Sequence, residues 1–238
     1  MQEIVCRYEK GEAVKYISHL DLMRAMQRAC RRARIPLAFT QGRHARPKVA
    51  YASALGVGAT GEAEIMVLGL EEPLDTEVVQ DAMNACLPQG LRILSTWTSP
   101  AYKRKFSVGE LDTSDFRVAI RGHIDGEELR GRVAALQSRA SIIYTRKRED
   151  KTRDLDLRRF LSEIGVETVE QGNAVLRLRL RAMPGGSASP LEIMDALGYP
   201  PGQFRIEPHR TALFSSGAVG RPARRRVRKM LPRGKDEH

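Results

Sequence analysis

The residues best suited to chemistry in this chain are cations crowded into short stretches. Between Gln41 and Lys48 the sequence reads Gln-Gly-Arg-His-Ala-Arg-Pro-Lys, so Arg43, Arg46 and Lys48 put three positive charges within six residues. Gly42 stands among them, and its missing Cβ permits close backbone approach to a ligand. The combination suits a phosphate but lacks the GxxxxGK[ST] spacing of a nucleotide-hydrolysing loop. Just upstream, Arg24, Arg28, Arg31 and Arg32 fall within one arc at 100° per residue, which predicts a basic helix face. Farther on, Arg177, Arg179 and Arg181 alternate with Leu176, Leu178 and Leu180 and therefore share one face of a strand. Like charges so spaced repel unless carboxylates lie across from them, and Asp154 and Asp156 are the candidate partners. That face is a solvated surface with cross-strand pairs or a surface that receives RNA; no aromatic is interleaved there for base stacking.

A fourth cationic stretch closes the chain. From Gly217 to His238 eight basic residues, Arg224, Arg225, Arg226 and Arg228 among them, stand against two acidic ones. So little of this segment is apolar that it cannot fold alone, and a flexible basic arm is expected. The commonest cytoplasmic polyanion for such an arm is RNA.

Histidines and cysteines offer less. His19, His44, His123 and His209 match neither the HExxH nor the GxSxG context of hydrolytic sites. His19 and His44 would serve as acid and base in RNA cleavage only if the fold joined them. The plainer reading is one histidine near a helix cap and one in an exposed loop, so no catalytic residue is assigned. Cys6, Cys30 and Cys86 are odd in number, far apart and set in apolar patterns, as buried reduced thiols would be. A mixed site of Cys6, His19, Cys30 and His44 is disfavoured. Neither a metal nor a cofactor is expected.

The elements that must position these groups follow from periodicity. Residues 3–9 and 14–18 alternate around Lys10-Gly11-Glu12 as a hairpin would. Ser18 is a plausible N-cap for a helix carrying Leu22, Met23, Met26, Cys30 and Ala33 and ending near Pro36. Strands are predicted over 49–55, 62–70 and 91–97, with a helix from about Asp75 to Pro88 bearing Val78, Val79, Ala82, Met83 and Cys86. The order, strand, helix, strand, strand, helix, strand, is the split βαβ pattern of a ferredoxin-like domain. A linker is placed at 99–113. Beyond it, strands are predicted at 116–120, 141–145, 175–183 and 204–214, with helices at 127–136, 155–164 and 190–197. The expected fold is α+β in two domains: a ferredoxin-like domain (1–98), a second α+β domain with antiparallel sheet (114–216), and a flexible basic tail (217–238).

Composition agrees with that division. The 238 residues carry a net charge of +11, are 42% apolar and only 5% aromatic, so the core must be aliphatic. No window approaches eighteen apolar residues and the N-terminus does not read as a signal peptide, so a cytoplasmic protein without a membrane partner is expected.

The stretch Lys15-Tyr16-Ile17-Ser18-His19-Leu20-Asp21-Leu22-Met23-Arg24 resembles the bacterial radical SAM-linked, or radical SAM-associated, protein family, a domain of unknown function. Gln41-Gly42 with Arg46-Pro47-Lys48, Leu55-Gly56-Val57, Pro184-Gly185-Gly186-Ser187 and Arg210-Thr211-Ala212-Leu213 continue the match in order, over about residues 2–214. Between Gly42 and Arg46 the family pattern has an aromatic, an Asn and a Pro, where this chain has Arg43, His44 and Ala45. The resemblance implies association: members are encoded beside, or fused behind, a radical SAM protein, often near genes for a ribonuclease of the E/G type and for ribosomal proteins. The iron–sulfur chemistry would belong to that partner, which fits the lack of a CxxxCxxC cluster here.

The expected function is a non-catalytic RNA-binding or substrate-presenting partner of a radical SAM enzyme, in rRNA or tRNA modification or ribosome-linked RNA metabolism. The alternatives are an RNA-processing or RNA-modifying enzyme of ferredoxin-like type using His19 and His44, and a protein–protein adaptor without RNA binding.

Overall fold

Alternation along the first strand sets the architecture of the first half of the molecule. In this computed structural model, which describes residues 1–99, 107–148 and 151–218, β1 (Gln2–Lys10) turns Ile4, Cys6 and Tyr8 to one side and Val5 to the other. Both sides are covered. Ile4, Cys6 and Tyr8 join Met66, Leu68, Leu70 and Ile93 in the main core, while Val5 packs with Ile65, Val67 and Leu213. Full burial of each Val, Leu, Ile or Met among them is worth roughly 1.5–3 kcal/mol.

The chain divides into two units, residues 1–111 with 213–238, and residues 112–212. In the first, β1 lies between β3 (Thr60–Leu70) and β4 (Leu91–Thr98), and the short β2 (Val49–Tyr51) edges β3. All three pairings are antiparallel, giving the order β4-β1-β3-β2. With α1 (His19–Arg32) and α2 (Thr76–Cys86) inserted after β1 and β3, this is the ferredoxin-like arrangement. Helix α1 starts where predicted: the Ser18 hydroxyl accepts from the Asp21 amide at 3.1 Å, and Leu22, Met26, Ala29 and Cys30 face the core.

Two expectations in this unit fail, the first in part: the strand expected over 49–55 stops at Tyr51. Residues 14–18 form no second strand; Glu12–Val14 make a 3-10 turn instead. Five alternating residues fit a helical turn equally well. Here the Gly11 amide donates to the Gly90 carbonyl and the buried Lys10 ammonium to the Lys15 carbonyl, which folds the chain over the end of β1.

The second unit holds β5 (Thr113–Arg121), α3 (Gly126–Ser138), β6 (Ile143–Arg148), β7 (Lys151–Asp156), β8 (Leu161–Glu170), β9 (Asn173–Arg181), α4 (Pro190–Ala196) and most of β10 (Arg205–Phe214). Its sheet runs β10-β5-β9-β8, and β6 with β7 forms a separate hairpin. Phe116, Val118 and Ile120 of β5 and Leu176, Leu178 and Leu180 of β9 are buried, as are Leu129, Val133 and Leu136 of α3.

The helix predicted over 155–164 is not formed. Leu155, Leu157, Phe160, Leu161 and Ile164 are all buried, but they serve the end of β7, a 3-10 turn at Leu157–Arg159 and the start of β8. The Asp156 carboxylate fixes the bend by accepting from the amides of Ile142 at 2.8 Å and Arg158 at 3.0 Å. Residues 100–106 of the predicted linker lie outside the described residues; Val108–Glu110 form a 3-10 turn.

Candidate nucleic-acid interface

The cationic stretch at 41–48 is the tip and returning arm of a small hairpin fastened to β3. The Ala38 amide donates to the Gly69 carbonyl and the Gly69 amide to the Lys48 carbonyl, each at 2.8 Å, while the Lys48 amide donates to Ala38 at 2.7 Å. Phe39 then bridges Pro47, and the Thr40 amide donates to the Arg46 carbonyl at 2.9 Å. The Thr40 hydroxyl accepts from the Arg46 amide at 3.0 Å. Gly69 makes the close approach possible, because a Cβ there would sit 3.0 Å from that of Lys48. Gly42 has φ of +120°, a conformation for which glycine is favoured.

Residues 41–46 and Lys48 are exposed. Among the described residues Arg43 and Arg46 form no ion pair, and the Lys48 ammonium meets only the Met1 sulfur, at 3.4 Å. These cations therefore reach water with no carboxylate of the described residues paired to them. The short main-chain ladder beneath holds their backbone in place.

On α1 the predicted arc is exposed, opposite the buried Leu22, Met26, Ala29 and Cys30. Arg24 pairs with Asp21 at 3.3 Å, an exposed contact of small energetic value. Arg28 and Arg31 form no ion pair among the described residues. Arg32 has another task, donating to the Cys86 carbonyl at the end of α2.

The arginines of β9 behave differently. Arg179 holds Asp115 of β5 through two bonds, at 2.7 and 3.0 Å, and reaches Glu163 of β8 at 3.3 Å. Arg181 lies 3.6 Å from Asp112. The neighbouring Arg117 pairs with Glu167 at 2.9 Å. Asp154 and Asp156 are not the partners: Asp154 accepts from the Thr145 hydroxyl, and Asp156 caps the bend before β8. Register decides this, since β5 and β8 flank β9 and set Asp115 and Glu163 directly opposite Arg179. Arg177, opposite Arg117 and Gly165, is exposed and forms no ion pair among the described residues.

The two candidate histidines are not joined. His19 is half-buried with its ring edge-on to Tyr51, centroids 5.8 Å apart, and partial burial followed by the nearby Lys10 charge lowers its pKa. His44 is exposed at the hairpin tip and makes no hydrogen bond, ion pair or ring contact among the described residues. Cys6 and Cys30 lie in the core, and burial pushes both thiols up, that of Cys30 to about 11. Among the described residues no group of three His, Cys, Asp or Glu is placed to hold a metal ion. Arg224, Arg225, Arg226 and Arg228 lie outside the described residues. No helix among the described residues is long and apolar enough to cross a membrane.

Two residues beside these sites escaped the sequence reading. Lys10 is a lysine in a core phase of β1, and Phe39 is a phenylalanine left half-exposed at the foot of the cationic tip. Position in an alternating strand would have flagged the first. Nothing in the pattern marks the second.

Comparison with known proteins gives a family and a distant set of folds. Residues 3–190 match a family described as an uncharacterized protein conserved in bacteria (DUF2344). No curated protein matches the chain. Solved structures with some likeness include a Cbf5–Nop10–Gar1 complex, at 13% identity and a TM-score of 0.41 over 71% of this chain and 42% of that one. An H/ACA ribonucleoprotein bound to a substrate RNA containing 2′-deoxyuridine gives 10% identity, a TM-score of 0.45, and 90% and 49% coverage. The archaeal box H/ACA Nop10–Cbf5 complex gives 10%, 0.46, and the same coverage. The chain thus spans less than half the length of these solved chains.

Proposed function

The chain belongs to the bacterial family DUF2344, and from that premise we propose that it is a non-catalytic RNA-binding protein that presents RNA to a radical SAM enzyme in the cytoplasm. The observation that carries the RNA half is the contrast between two sets of cations. Arg179 and Arg181 are matched by carboxylates across the sheet, whereas Arg43, Arg46 and Lys48 are exposed on one hairpin and form no ion pair among the described residues. Unmatched clustered cations attract a polyanion and release its condensed counterions, which gives affinity without sequence preference. Arg28 and Arg31 of α1 add to the positive charge of the same unit.

The enzyme half rests on the sequence resemblance to radical SAM-linked proteins. Under this reading rRNA or tRNA is the substrate class, and radical chemistry is supplied by the partner. His19 has its ring against Tyr51, while His44 makes no hydrogen bond, ion pair or ring contact among the described residues, and this supports a presenting role over an acid–base one.

The test is affinity purification of the tagged chain from its native cells, with and without nuclease, scoring proteins and RNA together. A radical SAM protein that persists after nuclease while a defined RNA is lost is the expected result. RNA shortened in a His44-dependent way, or partners insensitive to nuclease with no RNA at all, would overturn it.

A further inference from the structure

Among the described residues two side chains of the Phe, Tyr and Trp type are exposed, Tyr16 at 73% and Phe39, about half, at 48%. Tyr16 has a companion, the Lys15 ammonium 5.3 Å from its ring centroid, and it packs near Gly58. Phe39 sits instead in the ladder of the cationic hairpin, bridged to Pro47 and one residue from Thr40, whose amide is bonded to Arg46. Directly opposed residues of an antiparallel pair project to the same face, so the Phe39 and Pro47 rings make one small apolar platform. Arg46 and Lys48 flank Pro47 in sequence and so alternate to the other face of this narrow ladder, and Arg43 stands at the tip.

The platform is too small for a protein hot spot. Its surroundings from Thr40 to Arg46 are exposed and polar, whereas a docking core needs contiguous apolar surface with charge at the rim. A single exposed ring on a narrow hairpin, whose cations form no ion pair among the described residues, fits a nucleobase whose flanking phosphates pass round the hairpin's edge to those long side chains, the pairing of stacking surface and cationic track used to hold single strands. A phenylalanine has only two side-chain torsions to fix, and the ladder has already ordered its backbone, so little entropy is lost on stacking. Bases in an A-form duplex are enclosed by their neighbours and cannot lie on the ring.

We infer that the hairpin takes single-stranded RNA, stacking one base on Phe39 while Arg43, Arg46 and Lys48 hold the adjacent phosphates. This rests on the RNA-binding reading above and narrows it from any polyanion to unpaired strands.

The experiment is fluorescence polarisation of the full chain with a short labelled RNA, the same RNA annealed into a duplex, and the single-stranded DNA of the same sequence. Phe39→Ala should weaken binding of the single-stranded RNA roughly tenfold, the order expected for one lost stack, and leave duplex binding unchanged. Phe39→Leu, which keeps apolar bulk without a π face, should behave like the alanine variant, and Phe39→Trp should restore affinity. Tyr16→Ala should have no effect. Equal losses on single strand and duplex, a wild-type response of Phe39→Ala, or tighter binding of DNA than RNA would overturn the inference. The triple variant Arg43→Ala, Arg46→Ala, Lys48→Ala separates the two levels. If it abolishes RNA binding while Phe39→Ala does nothing, phosphate binding stands and stacking falls; if it too binds like wild type, both fall.

Discussion

The side chain of Lys10 is buried, and its ammonium donates to the main-chain carbonyl of Lys15 at 3.0 Å, with that of Gly56 at 3.4 Å. One cation thereby joins the end of β1 to the turn before α1 and to the glycine loop before β3. The Gly58 amide closes the same junction from the other side, donating to Lys15 at 2.8 Å. The stretch that carries the family resemblance begins at this residue.

Lys10→Met keeps the length and apolar stem but leaves these acceptors with fewer donors. The expected cost is about 1–3 kcal/mol, read as a lower midpoint in denaturant unfolding. Lys48→Met, at an exposed site, should change stability by less than about 0.5 kcal/mol in the same assay.

Gly42 in the hairpin and Gly69 in the strand that carries it make opposite demands. A Cβ at Gly69 meets Lys48 Cβ at 3.0 Å and its carbonyl at 3.3 Å, whereas a Cβ at Gly42 meets nothing within 4 Å but requires φ of +120°. Gly69→Ala should displace the returning arm of the hairpin and weaken RNA binding. Gly42→Ala should cost on the order of 1–3 kcal/mol in backbone strain. Amide hydrogen exchange at Lys48 distinguishes them: it should quicken in Gly69→Ala well beyond its change in Gly42→Ala.

Partial burial and the Lys10 charge hold the His19 pKa below its ordinary value, so the unfolded chain takes up a proton before the folded one does. His19 therefore contributes stability above the unfolded histidine pKa of about 6.5, and that contribution is lost as pH falls through the folded value. Denaturant midpoints measured from pH 7.5 down to 5 should decline less in His19→Gln than in the wild type. An NMR titration should place the imidazole below that reference.

Buried geometry separates a useful ion pair from a decorative one. Arg146 grips Glu192 at 2.5 and 2.7 Å in a largely enclosed setting, and Glu192 also accepts from the Ser189 amide in the capping box of α4. Arg24 and Asp21 are both more than half exposed. Arg146→Ala should cost several times more stability than Arg24→Ala, whose loss is expected within about 1 kcal/mol.

Much of the framework was legible because single elements carry unambiguous periods. The alternation of β9 and the Ser18 cap with the spacing from Leu22 to Cys30 each admit one reading, and the βαββαβ order of the first unit follows from such segments. The apolar spacing of residues 14–18 and 155–164 fits two periods, and the deciding contacts, Lys10 to Lys15 and Asp156 to Ile142, lie outside the local pattern. At the site, the exposure of Arg43, Arg46 and Lys48 was readable from a polar, glycine-bearing loop. The partners of Arg179 were not, since Asp115 is 64 residues away and only strand register brings it opposite.

Under the proposed function the hairpin cations, not the sheet arginines, hold RNA phosphates. The most direct test is the salt dependence of RNA affinity for the wild type, the Arg43→Ala, Arg46→Ala, Lys48→Ala variant, and an Arg177→Ala, Arg179→Ala, Arg181→Ala variant. The hairpin variant should bind more weakly and lose about two units from the slope of log affinity against log salt, near 0.7 per single-strand phosphate contact. The sheet variant should keep the wild-type slope. An unchanged slope in the hairpin variant, or a loss confined to the sheet variant, would contradict the account.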